Sequence, residues 1–274
     1  MINRILVPID FSGDSINAFE YAIKFANTMD AKLRLIFIRS NKNFDVPFFF
    51  KDIEVDKVSV ESFFDIIIEK YKNKIKGEFD YKIREGKVFK EIVNQAKYDD
   101  TDLIIMGTHG VSGFEAYWIG SNAYKVVSNS PCPVITIRNG FLRRGLSKIV
   151  MPIDVSKSSR QKINDTAELA ELCNAEIHIV SVRETKRPVI IKKLANYISQ
   201  TKEYLENRGI TVVTSDLFGS NITDITIEYA KKVDADLISI MTEQTEGASY
   251  LWLGKYAQQM VNNSPFPVFS IRPK

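Results

Sequence analysis

The chain repeats itself, and a repeat of this length dictates the architecture before any single motif is considered. Arg4-Ile-Leu-Val-Pro-Ile-Asp-Phe-Ser12 answers Lys148-Ile-Val-Met-Pro-Ile-Asp-Val-Ser156. Ala31-Lys-Leu-Arg-Leu-Ile-Phe-Ile-Arg39 parallels Ala175-Glu-Ile-His-Ile-Val-Ser-Val-Arg183. Trp118–Arg138 matches Trp252–Arg272 at 11 of 21 positions, far beyond coincidence. The offset is 144 at the first two matches and 134 at the last. The first copy therefore carries about ten extra residues after its second strand, around Asn41–Asp56, where Val46-Pro-Phe-Phe-Phe50 makes an unusually apolar stretch for a loop. The joint near Asn139–Ser147 divides the chain into domains at 1–140 and 146–274.

Within each copy, short apolar runs alternate with longer amphipathic ones. Ile5–Ile9, Leu33–Ile38, Leu103–Met106 and Val134–Ile137 are nearly continuous in hydrophobicity, as strands covered on both faces must be. Phe79–Arg84 alternates instead and reads as an edge strand. Ser15–Thr28, Val58–Lys76, Val88–Tyr98 and Ile119–Asn129 have helical spacing, with Ser12 and Ser156 as N-cap candidates. Pro131 and Pro133 stop the last helix and open the last strand, because proline lacks the amide that a helix interior uses. Strand–helix alternation predicts an α/β fold: two doubly wound domains, each a parallel sheet with helices on both faces. In such sheets a ligand crevice lies beyond the carboxyl ends of the strands, where the strand order reverses.

That directs attention to Gly107-Thr-His-Gly110-Val-Ser-Gly113, which follows the fourth strand, and to Gly120-Ser121-Asn122, which opens the next helix. Glycines let backbone approach a ligand without an intervening Cβ, and a helix start offers free amides and a positive dipole end to an anion. The loop can thus donate several N–H groups and the Ser121 hydroxyl to phosphate. An ordinary turn-rich surface loop accounts for glycines alone equally well.

Taken together, Gly107-x2-Gly110-x9-Gly120-Ser121, the preceding strand ending Met-Gly, the following Ser-Pro-Cys-Pro-Val and the opening Ile-Leu-Val-Pro-Ile-Asp-Phe-Ser resemble the universal stress proteins over both halves. The resemblance implies a five-stranded parallel sheet of order 3-2-1-4-5 and ATP at the strand ends. It implies Pro8 against the base, Asp10 at the ribose, the main chain of Ile38 at the adenine, and Gly107, Gly110, Gly120, Ser121 and Asn122 on the phosphates. It also implies pairing of domains through their last strands, which here would join Val134–Ile137 to Val268–Ile271 within one chain and leave room for a homodimer. His109, inside the loop, could reach a phosphate or point to solvent; a lone histidine has no nucleophile to serve. Mg²⁺ would be held only through phosphates or water.

The second copy departs from the motif. Met241 stands for Gly107, Gln244 for Gly110, Glu243 for His109 and Lys255 for Ser121, leaving Gly247 and Gly254. Side chains fill the places where backbone would meet phosphate, and Glu243 and Glu246 add repulsion, so no ATP is expected there. The remaining features read quietly. His178 is expected to be a satisfied strand residue, and Cys132 and Cys173 to be packed thiols. A net charge of +3 with interspersed signs gives no argument for nucleic acid or membrane, no apolar run approaches a membrane span, and the cytoplasm is the expected location. Three functions compete: an ATP-binding stress-response protein with at most slow hydrolysis, a ligand-independent interaction module, and an adenylyl-transferring enzyme. Phe11-Ser-Gly-Asp-Ser15 falls short of the glycine- or histidine-rich element the last would require.

Overall fold

The computed structural model describes residues 2–40, 59–108, 119–138, 140–141, 145–156, 158–242 and 253–273. The Phe48–Phe50 stretch, His109, Gly110, Gly113 and the loop at 243–252 lie outside them. The N-terminal half contains strands β1 (Arg4–Pro8), β2 (Lys32–Arg39), β3 (Phe79–Glu85), β4 (Leu103–Gly107) and β5 (Val134–Ile137). Its helices are α1 (Gly13–Met29), α2 (Val60–Tyr71), α3 (Val88–Tyr98) and α4 (Ser121–Asn129). The C-terminal half follows with β6 (Lys148–Ile153), α5 (Ile163–Cys173), β7 (Glu176–Arg183), α6 (Pro188–Glu206), β8 (Val212–Phe218), α7 (Ile222–Lys232), β9 (Leu237–Met241), α8 (Lys255–Asn263) and β10 (Val268–Ile271).

One sheet of ten strands runs through both halves in the order β3-β2-β1-β4-β5-β10-β9-β6-β7-β8. Each half is parallel throughout and has the 3-2-1-4-5 order. The halves meet where β5 and β10 pair antiparallel, Ile135 opposite Phe269. This buries two strand edges that would otherwise be open to wrong partners. Because side chains alternate along a strand, Ile5, Val7 and Ile9 enter one core with α1, α2, α5 and α6. Leu6 enters the other, with α3, α4, α7 and α8. Both cores cross the junction. No helix of the described residues is long and apolar enough to cross a membrane.

Several local features follow from particular side chains. Ser12 caps α1, its Oγ accepting from the Ser15 amide at 3.3 Å. Asp30 and Asn174 close α1 and α5 with φ near +50°, a conformation that short polar side chains tolerate best after glycine. Helix α2 is shorter than periodicity predicts. Ser59 caps it, and at its far end it tightens into a 3₁₀ turn, Lys72–Lys74, after Tyr71. The buried Tyr71 ring anchors that end, its hydroxyl donating to Glu20 at 2.5 Å. Ser156 caps no α-helix. Its Oγ accepts from Ser159 at 3.1 Å in a 3₁₀ turn, Ser158–Arg160, and α5 starts only at Ile163.

Candidate functional site

The parallel register of the N-terminal half brings the carboxyl ends of β1, β2 and β4 to one edge of the sheet. β1 is flanked by β2 on one side and β4 on the other, so the strand order reverses here, the place where sheets of this kind take ligands in a crevice. Pro8 sits at the end of β1, opposite Ile36. The amide of Ile9 still donates to the Ile36 carbonyl at 2.9 Å, after which the chain leaves the sheet at Asp10. β2 continues to Arg39, still paired with β3. Peptide groups alternate sides along a strand. Ile36 faces β1, so Ile38 also presents its N–H and C=O toward the side β1 has vacated. The Ile38 side chain is buried, which leaves its backbone as the part of the residue turned to that side.

Asp10 shapes the chain locally. Its Oδ1 accepts from the Ser12 amide at 3.0 Å and from the Ser12 hydroxyl, forming the turn that starts α1. Asp154 does the same for Ser156 at 2.8 Å. Between Asp10 and Ser12, Phe11 adopts φ +62°, a conformation that costs a bulky residue about 1–2 kcal/mol. Burying its ring completely against Phe37, Phe63 and Phe64, at centroid distances of 5.4, 5.2 and 5.3 Å, returns about 1.5–3 kcal/mol. Packing wins, and the strained turn is held at the crevice mouth. Nothing in the sequence marked Phe11; its positive φ is visible only in three dimensions.

Gly107 closes β4. Its φ is not positive, so handedness is not why glycine is needed. A Cβ there would lie 3.0 Å from the carbonyl carbon and oxygen of Asp14 and 3.1 Å from its Cβ. The first turn of α1 therefore rests directly on the end of β4, and Gly107 makes that contact tolerable. Its counterpart Met241 is buried, and in the C-terminal half the matching helical turn is missing: residues 158–160 form a 3₁₀ turn. Lys162 is 2% exposed and donates from Nζ to the Ser159 carbonyl at 2.5 Å. A side chain at the strand end and an unwound first helical turn belong together.

After Thr108 the chain passes through residues 109–118 and returns. Gly120 donates to the Thr108 carbonyl at 2.8 Å, so both ends of the glycine-rich segment meet at the end of β4. Gly120 then caps α4 with φ −58° and ψ 144°, with no side-chain cap bond among the described residues. Ser121 and Asn122 are exposed. Pro8, Asp10, Ile38, Gly107, Gly120, Ser121 and Asn122 thus share one edge of the half-sheet; His109 and Gly110 lie outside the described residues.

The other sequence candidates have structural roles. His178 is buried and bonded at both nitrogens, Nδ1 to the Tyr229 hydroxyl at 2.9 Å and Nε2 to Glu176 at 3.1 Å. That contact, together with Lys148, holds the Glu176 carboxyl below its usual range. Burial pushes the Cys132 thiol up to about 11 and the Cys173 thiol up to about 12. Both are poor nucleophiles near neutrality.

Comparison with known proteins agrees with the fold. The model of the universal stress protein family matches residues 1–138 and again 145–272. A universal stress protein of Methanocaldococcus jannaschii is 30% identical over 152 residues, spanning 50% of this chain and 83% of that protein. One from Bacillus subtilis is 30% identical over 152 residues, spanning 50% of this chain and all of its own length (100%). The crystal structure of a universal stress protein from Archaeoglobus fulgidus superposes with a TM-score of 0.70. That alignment covers 99% of this chain and 97% of the other at 19% identity, a likeness of fold. With the family model matched once in each half and the corresponding sheet built twice, the chain belongs to the universal stress protein family as a tandem of two copies.

Proposed function

We propose that this protein binds ATP in the crevice of its N-terminal half, residues 1–140, and acts in the stress response through that bound state. The C-terminal half, residues 146–274, carries no ATP. One observation carries the reading: the start of α4, with no side-chain cap among the described residues, shares a strand-end edge with the β2 backbone at Ile38. The adenine would pair with the Ile38 main chain beside Pro8, and the ribose would meet Asp10. The phosphates would take the amides of Gly107, His109, Gly110, Gly120, Ser121 and Asn122. Mg²⁺ would be carried by the phosphates. A cytoplasmic location belongs to the same proposal and fits the two free thiols.

Magnitudes limit what each part contributes. A helix start provides at most about 2 kcal/mol toward an anion, whereas micromolar binding needs about 8 kcal/mol. The glycine loop and the buried base must supply the difference. Titrating ATP into the full-length chain by calorimetry tests the reading. Gly110→Asp or Gly120→Val should abolish binding while the thermal transition stays in place. A wild-type chain that takes up no ATP at millimolar concentration leaves a ligand-independent interaction module. The packing of Gly107 on Asp14 favours that second reading, since it explains one motif glycine without a ligand.

A further inference from the structure

The C-terminal half has lost the glycine motif, yet it reaches the chain where that chain enters α4. The amide of Ile119, the residue before Gly120, donates to Oδ1 of Asn262 in α8 at 2.9 Å. Asn262 is 6% exposed and the bond is partly buried, so its loss would leave a partly buried amide without that acceptor. The adjacent amide, Gly120, is fixed within its own half by Thr108 at 2.8 Å. Two consecutive N–H groups just ahead of α4 are thus tied down, one by each half. They set the direction in which the chain enters the helix, and with it the aim of the first free amides at Ser121 and Asn122.

The arrangement is reciprocal in position but not in chemistry. Leu253, the counterpart of Ile119, donates to the Tyr124 hydroxyl at 3.0 Å. The counterpart of Asn262 is Ser128, whose hydroxyl donates to the Tyr124 carbonyl of its own helix at 2.8 Å. Among the described residues a side-chain amide acceptor therefore crosses the junction to the start of α4, and a tyrosine hydroxyl to the start of α8.

We infer that Asn262 is a positioning residue for the N-terminal nucleotide site, supplied by the half that binds no nucleotide itself. This inference rests on the ATP reading given above. Through Asn262 the degenerate half locks the anion-binding end of α4 in place. Orientation of donors before the ligand arrives is what makes a backbone site effective.

Three variants of the full-length chain test it, with ATP affinity by calorimetry and amide exchange by NMR as readouts. Asn262→Leu removes the acceptor and should weaken ATP roughly three- to tenfold, while Ile119 and the first-turn amides of α4 exchange faster without ligand. Asn262→Asp keeps an acceptor and should restore protection at Ile119. Arg272→Gln removes a different bond across the junction, to the Ser130 carbonyl at 3.0 Å, and should leave ATP affinity at the wild-type value. Equal affinity for wild type and Asn262→Leu overturns the inference and leaves the ATP site standing. So does an equal loss in Arg272→Gln, which would trace the effect to a loosened junction. A wild-type chain that binds no ATP removes both.

Discussion

The two halves of this molecule share a sheet order and differ at the mouth of one crevice. What they share is framework. Asp102 accepts from the amides of Asn3 and Arg4 at 2.8 and 3.0 Å, and Asp236 accepts from those of Ser147 and Lys148 at 2.9 and 3.0 Å. Thr108 and Thr242 donate alike to the last strand. What differs is concentrated where β4 and β9 end. In the N-terminal half a glycine, a full first turn of α1 and a strained Phe11 surround the opening. In the C-terminal half a buried methionine, a 3₁₀ turn and a buried lysine stand in the corresponding stretches. Gly120 is bonded to Thr108, whereas among the described residues no such bond joins Gly254 to Thr242. A framework can thus be copied intact while the contacts at one strand end diverge.

The largest effect should come from Phe11. Phe11→Ala empties a fully buried aromatic position and should cost about 3–5 kcal/mol. Val155→Ala, at the half-buried counterpart, should cost clearly less; equal losses in urea unfolding would mean that Phe11 holds no special place. Next comes Gly107→Met, which imports the C-terminal residue. The contact with Asp14 should cost about 1–3 kcal/mol, unwind the first turn of α1 and reduce ATP binding more than about tenfold. A variant with unchanged affinity would break the link between helix start and crevice.

Smaller effects sharpen the contrast. Ser12→Ala removes an α-helix cap and should cost about 1 kcal/mol. Ser156→Ala removes support from a 3₁₀ turn only and should cost a few tenths. Thermal melts of the two variants decide the order. Smallest near neutrality is the thiol effect. The folded chain keeps both thiols protonated beyond their usual range, so their contribution is constant below about 9 and is lost as pH climbs toward 11–12. Cys132→Ser with Cys173→Ser should flatten that alkaline fall in stability.

Much of the framework was legible in the sequence because hydrophobic periodicity and repetition report it directly. The four inner strands of the first copy, its edge strand β3 and the prolines around Cys132 were all readable, as was the 3-2-1-4-5 order through the family resemblance. The β5–β10 pairing followed from the same resemblance. What periodicity could not show was the state of a backbone at one residue. Ser12 and Ser156 look equivalent, yet only the first caps an α-helix, and the strand end beneath that turn is Gly107 in one half and Met241 in the other. The role of Gly107 was legible as "no side chain here", but the reason, contact with Asp14, required the packing. Asn262 carried no sequence signal at all, since its partner is a main-chain amide 143 positions away.

Asymmetry is the feature on which the proposed function depends: it assigns ATP to one crevice, not two. It is read most directly from the stoichiometry of ATP binding to the full-length chain by calorimetry, repeated on Gly120→Val and on Gly254→Val. One ATP per chain is expected, lost in the first variant and retained in the second. Two ATP per chain, or binding lost only with Gly254→Val, would contradict it.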